Sequence, residues 1–264
     1  MSNNSTPFSP IIKICGLTNI HQTNICADLG VDWIGFNCWN GSSRYIKPNK
    51  IRQIINSIPK SITTVGVFVN EPLRSLEKIM NETGMNLAQL HGDENYDYTK
   101  QINVPWFKAF RVTSEFKSEK IVYFGQELFL LDSFSKENYG GTGEELDWDR
   151  ISEYSNLGKL ILAGGLNPEN ILDAVKKVKP WGVDVCSGVE KEPGIKDIDK
   201  VKDFIQKLRN RKEFREDSNP AFMPEEWDAM KSALNEWVKI KDGDDELKKW
   251  RRRWIYNWIF FMYH

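Results

Sequence analysis

The sequence predicts an α/β fold, a closed (βα)8 TIM barrel followed by a helical C-terminal extension. From Ile11 onward, short β-branched or apolar runs alternate with amphipathic stretches, which is the pattern of successive βα units. About eight such units fit into roughly two hundred residues, near the lower size limit of this barrel. The strand-like runs are almost continuously apolar, as expected where both faces of a parallel sheet are covered.

The predicted strands cover residues 11–17, 32–38, 62–69, 87–92, 106–112, 128–133, 159–165 and 182–188. Helical stretches follow most of them, including 19–30, 72–84 and 167–179. In the last of these we expect Asn167 as the N-cap and Pro168 in the first turn. An open doubly wound sheet is the structural alternative, and the first strand lacks the nucleotide-type glycine loop that would favour it.

Three regions follow from these patterns: a flexible leader at 1–10, a barrel domain at 11–210 and a tail at 211–264. The sequence of the tail predicts one or two helices, with Trp227 and Trp237 on one side of the first helix. Its basic and then aromatic end could contact a membrane interface, the barrel or a partner protein, or be a non-native end. Of these, membrane contact is disfavoured, and docking of a partner stays open.

Composition excludes several classes of protein. The formal net charge of -1 provides no field that would recruit nucleic acid. The four cysteines show no CxxC spacing, and no His/Cys cluster suggests zinc. The polar start lacks a signal pattern, and no apolar run approaches the ~20 residues of a membrane helix. We therefore expect a cytoplasmic protein with free cysteines and no metal.

In such a barrel the working residues lie at the carboxyl ends of the strands. The polar or reactive residues at those ends are Cys15, Asn37, Asn70, His91, Arg111, Asp132 and Asp184. Gly164-Gly165 and Ser187-Gly188 follow the last two strands, where small residues let backbone N–H groups approach a phosphate. Tight turns are the alternative explanation for these glycines.

Cys15 and Asp132 would face each other across the mouth of the barrel and could act as base and acid. A free thiol titrates near ~8.5, so a base at neutral pH needs a nearby positive charge. An inert, buried cysteine is the alternative.

Nine segments together resemble phosphoribosylanthranilate isomerase of tryptophan biosynthesis, in that family's order and spacing. The resemblance covers about residues 11–209 and none of the tail. The segments are KICGLT (13–18), SSRYI (42–46), VGVFVN (65–70), QLHGDE (89–94), KAFRV (108–112), LLDS (130–133), YGGTG with LDW (139–148), LAGGLNPEN (162–170), and GVDVCSGVE with PGIKD (182–197).

The resemblance implies a cofactor-free Amadori rearrangement of a small phosphorylated substrate, N-(5′-phosphoribosyl)anthranilate. By family analogy, Asp132 protonates the ribose ring oxygen and Cys15 removes the C2′ proton. Arg44 would pair with the anthranilate carboxylate. Gly164, Gly165, Ser187 and Gly188 would hold the phosphate, and His91 and Asp184 would line the same mouth, in substrate-binding or structural roles.

Among the departures from the family, Cys186 stands where the family usually has serine. The exchange is harmless if backbone N–H groups hold the phosphate, and it weakens binding if a hydroxyl is needed.

Two rival functions remain. The sister isomerase of histidine biosynthesis runs the same chemistry on a bis-phosphate, but with an aspartate in place of Cys15 and with internal repetition that this chain lacks. The other rival is a non-catalytic phosphometabolite-binding barrel that acts as a scaffold through its tail. Retention of Cys15, Asp132 and Arg44 together argues against it.

Overall fold

The computed structural model describes residues 9–113, 115–132 and 148–209. Within them eight parallel strands form a closed barrel in chain order, with the eighth strand hydrogen bonded to the first. The strands are β1 (Ile11–Ile14), β2 (Trp33–Asn37), β3 (Thr63–Phe68), β4 (Leu87–Leu90), β5 (Trp106–Arg111), β6 (Leu128–Asp132), β7 (Lys159–Ala163) and β8 (Gly182–Val185). Each lies inside one of the eight predicted runs, so the predicted barrel is confirmed.

Helices alternate with these strands and pack their apolar sides against the sheet. They are α1 (Ile20–Asp28), α2 (Pro48–Ile55), α3 (Leu73–Thr83), α4 (Tyr96–Thr99), α5 (Glu119–Phe124), α6 (Trp148–Ser152), α7 (Ile171–Val178) and α8 (Ile198–Arg209). Helix α3 ends as predicted at Gly84, whose φ of 74° is the left-handed conformation that glycine adopts without strain.

The prediction of Asn167 as the N-cap of α7 is wrong. The helix begins at Ile171 with Asn170 at its N-cap position. The Asn167 side chain instead accepts hydrogen bonds from the backbone N–H groups of Glu169 and Asn170, which stabilises a turn before the helix.

A small antiparallel hairpin that the sequence did not predict follows β8. It consists of β9 (Glu190–Glu192) and β10 (Ile195–Lys196), and a short 3-10 turn at Ser187–Val189 leads into it. The hairpin brings the buried side chains of Glu190 and Lys196 next to the carboxyl end of β8.

The barrel interior is filled by side chains from alternate strand positions. Its apolar part contains Trp33, Val65, Phe107, Ala109, Leu130, Ile161 and Ala163. Because successive side chains of a strand point to opposite faces, residues two positions further along point inward as well. This rule brings four inward-pointing residues to the carboxyl ends of β1, β4, β6 and β8: Cys15, His91, Asp132 and Cys186.

Some predictions lie outside the described residues. These are the leader except for residues 9 and 10, the YGGTG segment, and the tail at 211–264 with its predicted helices. Within the described part of the chain, every helix is too short or too polar to cross a bilayer.

Candidate active site

The structure brings the predicted site residues to one end of the barrel. Cys15 continues the β1 ladder by donating its N–H to the carbonyl of Val185, and His91 continues β4 through the carbonyl of Phe68. Asp132 ends β6 and Asp184 lies in β8. The predicted small-residue pairs, Gly164-Gly165 and Ser187-Gly188, follow β7 and β8, and Arg44 lies in the segment between β2 and α2.

A chain of polar contacts crosses the barrel interior below this mouth. Lys13 Nζ, which is fully buried, donates to Asp184 Oδ2 at 2.6 Å and to Gln89 Oε1 at 2.9 Å. Gln89 Nε2 lies 2.9 Å from His91 Nδ1, and His91 Nε2 lies 3.3 Å from Asp132 Oδ2. The network therefore links β8, β1, β4 and β6, and it holds the imidazole against the carboxylate of Asp132.

The Lys13 ammonium is kept charged despite its burial. Burial alone would lower the pKa of Lys13, but the negative charges of Asp184 and Cys15 raise it above its ordinary value. Asp184 Oδ1 is buried, and within the described part of the chain it has no hydrogen-bond partner. An unsatisfied buried carboxylate oxygen is costly, so this atom is suited to accept a hydrogen bond from a bound molecule.

Cys15 has the electrostatic surroundings that a thiolate needs. A side-chain hydrogen bond from Cys186 and the positive charge of Lys13 lower the pKa of Cys15 to about 6, against the opposing effect of burial. The thiolate is therefore the favoured form of Cys15 near neutral pH. At Cys38, by contrast, burial is the largest effect, and it raises the pKa to about 12. Cys15 therefore has a positive charge close to its thiol, which a cysteine base would need.

Arg44 is fixed beside this thiol by a bidentate ion pair. Its Nε lies 3.0 and 3.1 Å from the two carboxylate oxygens of Glu190, and its Nη2 lies 2.6 Å from Oε2. Lys196 Nζ supports the same carboxylate at 2.9 Å. Burial alone would raise the pKa of Glu190, but the hydrogen bonds from Arg44 and Lys196 lower it. The Arg44 side chain stays 24% exposed, so the protein does not cover it completely.

The loops after β7 and β8 are in direct backbone contact. A Cβ added at Gly188 would lie 1.9 Å from the carbonyl oxygen of Leu166, so only glycine fits there. Gly164 and Gly165 both have positive φ, at 89° and 64°. Together these residues form one glycine-lined surface of main chain, of the kind that exposes N–H groups to an anion.

Three further strand-end residues have structural contacts or lie at the rim. The side-chain oxygen of Asn37 accepts the N–H of Trp39, and that of Asn70 accepts the N–H of Asp93. Arg111 is exposed at the end of β5. We find no cluster of three His, Cys, Asp or Glu side chains that could hold a metal ion among the residues described.

Sequence reasoning missed Lys13, Gln89, Glu190 and Lys196. One signal was available, because a lysine inside an apolar strand buried on both faces must have a counter-charge nearby. Nothing in the sequence pairs Arg44 with Glu190, which lies 146 residues further along the chain.

Comparison with known proteins decides between the rival families. Residues 12–207 match the family described as N-(5′-phosphoribosyl)anthranilate (PRA) isomerase. The chain belongs to this isomerase family. The N-(5′-phosphoribosyl)anthranilate isomerase of Trichlorobacter lovleyi is 40% identical over 203 residues, which are 76% of this chain and 98% of that protein. The corresponding protein of Gloeothece citriformis is 38% identical over 208 residues, with 76% and 94% covered.

Solved phosphoribosylanthranilate isomerases share the fold. The crystal structure of the Thermotoga maritima enzyme superposes with a TM-score of 0.72 at 36% identity, and the match covers 76% of this chain and all of that one. A crystal structure of a phosphoribosylanthranilate isomerase in complex with reduced 1-(o-carboxyphenylamino)-1-deoxyribulose 5-phosphate matches with a TM-score of 0.69 at 35% identity. The match again covers 76% of this chain and all of that one. The predicted family is confirmed, and as a member of it the chain is an enzyme.

Proposed function

We propose that this chain converts N-(5′-phosphoribosyl)anthranilate to 1-(2-carboxyphenylamino)-1-deoxyribulose 5-phosphate in tryptophan biosynthesis. The observation that carries the proposal is the placement of a thiolate-prone Cys15 and of Asp132 at one barrel mouth, joined by the Lys13–Gln89–His91 contacts. An Amadori rearrangement needs one acid and one base acting on neighbouring atoms of one sugar, and these two groups supply them.

Asp132 is the proposed acid. In its protonated form it gives its proton to the ribose ring oxygen, the C1′–O bond breaks, and the anthranilate nitrogen lone pair forms the Schiff base. His91, 3.3 Å from the carboxylate, holds the acid in orientation, and Gln89 in turn fixes the imidazole ring. A fixed imidazole behind the acid restricts the rotamers of the carboxyl group, which favours proton transfer along one direction.

Cys15 is the proposed base. Its thiolate removes the proton from C2′, the electrons of that bond neutralise the iminium, and the resulting enolamine tautomerises to the ketone. The cation of Lys13 lies against this thiolate, and its charge offsets the desolvation that burial imposes on the sulfur.

The remaining groups would bind the two ends of the substrate. Arg44, pre-oriented by Glu190, suits a planar carboxylate such as that of anthranilate. The surface formed by Gly164, Gly165, Ser187 and Gly188 suits the phosphate. The unpartnered Asp184 Oδ1 would accept a hydrogen bond from a ribose hydroxyl.

A fluorescence assay tests the proposal, because the anthranilate group of the substrate fluoresces and its disappearance can be followed. Cys15→Ser and Asp132→Asn should each lower kcat by several orders of magnitude, while far-ultraviolet circular dichroism stays unchanged. Cys26→Ala, which removes a buried thiol from α1, is the matched control and should keep kcat. Full turnover by either site variant would overturn the assignment.

A genetic test separates the barrel from the tail. The full chain and a version ending at residue 210 should both rescue a tryptophan auxotroph that lacks this isomerase. Rescue by the full chain alone would assign the tail a necessary role, such as the predicted docking to a partner. A cytoplasmic location suits this substrate, and cell fractionation would test it. The scaffold alternative predicts no rescue by either version.

A further inference from the structure

Two cysteines stand side by side on neighbouring strands of the candidate site. Strands β1 and β8 are paired in parallel, with Lys13 opposite Asp184 and Ile14 opposite Val185. The ladder continues through the bond from Cys15 N–H to the Val185 carbonyl, at 2.9 Å. The next opposed pair is therefore Cys15 and Cys186.

Both thiols point into the barrel mouth. Opposed residues of parallel strands project to the same side, and the Lys13–Asp184 contact of 2.6 Å, two residues earlier, establishes that this side is the interior. The packing around the thiols is tight: a Cβ at Gly16 would come within 2.9 Å of Cys186 Sγ, and one at Gly35 within 2.7 Å of Cys15 Sγ. Gly16, just after β1, and Gly35, in β2, thus leave room for the two sulfurs where a larger residue would clash with them.

Charged groups surround the pair on each adjoining element. On the hairpin side, Lys196 Nζ donates to Cys186 Sγ at 3.9 Å, and the Cys186 thiol lies 3.9 Å from Glu190 Oε1 as a possible donor. That oxygen already accepts three shorter hydrogen bonds, from Arg44, Gly194 and Lys196, so the thiol proton is not needed there. Arg44 packs over Gly16 from the loop after β2. Lys13 and Asp184 lie below. Arg44 and Lys196 exceed Glu190 by one positive charge beside Cys186 and act to lower the pKa of that thiol, whereas Lys13 lowers the pKa of Cys15.

The two thiols differ in pKa, and Cys186 is the one that keeps its proton. The hydrogen bond with Cys15 and burial raise the pKa of Cys186 well above its usual range, so this thiol keeps its proton at neutral pH. A neutral S–H next to a thiolate is a donor, and hydrogen bonds to charged acceptors are stronger than those between neutral groups.

We propose that Cys186 is a positioning residue for the isomerisation, whose S–H donates a hydrogen bond to the Cys15 sulfur and stabilises its negative charge in the barrel mouth. The inference rests on the proposed function in assigning Cys15 as the base. It explains how cysteine can stand where the family usually has serine, because a hydroxyl would donate to the same sulfur. Cys186 acts through Cys15 and needs no contact with the reacting atoms.

The experiment measures the ionisation of Cys15 directly. The rate of Cys15 alkylation by iodoacetamide is followed by mass spectrometry across pH, in the full-length parent and in Cys186→Ala, Cys186→Ser and Cys26→Ala. Removal of the donor in Cys186→Ala should move the midpoint upward by about one to two pH units, the cost of a lost hydrogen bond to a charged group. Cys186→Ser should stay near the parent, and Cys26→Ala should coincide with it. The rising limb of kcat/KM should move with the alkylation midpoint.

Two outcomes would overturn the proposal. One is an unchanged midpoint in Cys186→Ala, and the other is a serine variant that shifts as far as the alanine variant. If the unchanged midpoint came together with a raised KM, Cys186 would serve phosphate binding alone. Thermal denaturation of each variant confirms folding. Because alkylation needs no substrate, the assay tests the role of Cys186 independently of isomerase activity. Lack of that activity in the parent chain would reject only the proposed function.

Discussion

Replacement of Lys13 by methionine is the most direct test of the polar network inside the barrel. Lys13→Met keeps an unbranched side chain, one atom shorter, but removes the cation 2.6 Å from Asp184 Oδ2 and 2.9 Å from Gln89 Oε1. Asp184 is only 8% exposed, and its Oδ1 already lacks a partner within the described residues. The substitution would therefore leave a buried carboxylate with neither charge nor hydrogen-bond compensation at Oδ2.

The expected cost is about 3–5 kcal/mol, as found when one partner of a buried ion pair is removed. Typical proteins are stable by only about 5–15 kcal/mol, so the change should be large in urea denaturation. For a chain of this size it corresponds to a fall in Tm of roughly 6–20 °C. The double variant Lys13→Met/Asp184→Asn removes both charges and should recover much of the loss.

Lys159→Met is the matched control, since it removes the same side-chain charge from an ion pair with Glu127 that is nearly half exposed on both sides. Exposed pairs contribute about 0–1 kcal/mol, so this variant should unfold close to the parent. If Lys13→Met also lost less than about 1 kcal/mol, the buried pair would not stabilise the barrel, and our reasoning about its electrostatics would be refuted.

Three other predictions concern activity. If the Cys15 thiolate is the base, as proposed, kcat/KM should fall as pH drops through about 6, the pKa of Cys15. A rate profile that stays flat well below this value would contradict the assignment. Gly188→Ala should raise KM far more than it lowers kcat, because the new Cβ would come 1.9 Å from the Leu166 carbonyl oxygen and must displace the loop; steady-state kinetics would show this, and an unchanged KM would argue against a phosphate site there. Hydrogen peroxide should oxidise the Cys15 thiolate to a sulfenic acid, with which the Cys186 thiol forms a disulfide as water leaves, since Cα atoms on adjacent strands lie about 5 Å apart, within disulfide range. Dithiothreitol should then restore activity in the parent, whereas Cys186→Ser should accumulate irreversibly oxidised Cys15; equal recovery in both would count against the disulfide.

The barrel was predictable because each strand is an apolar run with both faces covered, and such runs are visible without knowledge of their partners. The residues at which the strands end could not be predicted in this way. The first predicted run extends to Leu17, yet β1 ends at Ile14, because the chain turns into the mouth at Cys15 and Gly16, where φ is 73°. The hairpin at 190–196 was missed since its strands are too short and too charged to show a periodic pattern.

The residues of the candidate site were also only partly predictable from the sequence. Cys15, His91, Asp132 and Asp184 were predictable because strand ends in this fold converge at one mouth. The residues that orient these side chains or shift their pKa values were not predictable, because their roles depend on contacts between distant parts of the chain. Lys13 meets Asp184 across 171 positions, and only barrel closure between β1 and β8 brings them together.

The contact between Gly188 and Leu166 has a consequence for how a ligand would be received. With no space between the two main-chain segments, neither can shift without the other, and little mobility remains there to be lost when an anion arrives. Preorganised recognition of this kind keeps the entropic penalty of association small, so even a fragment that carries only the phosphorylated end of a sugar should be retained by the rigid end of the mouth.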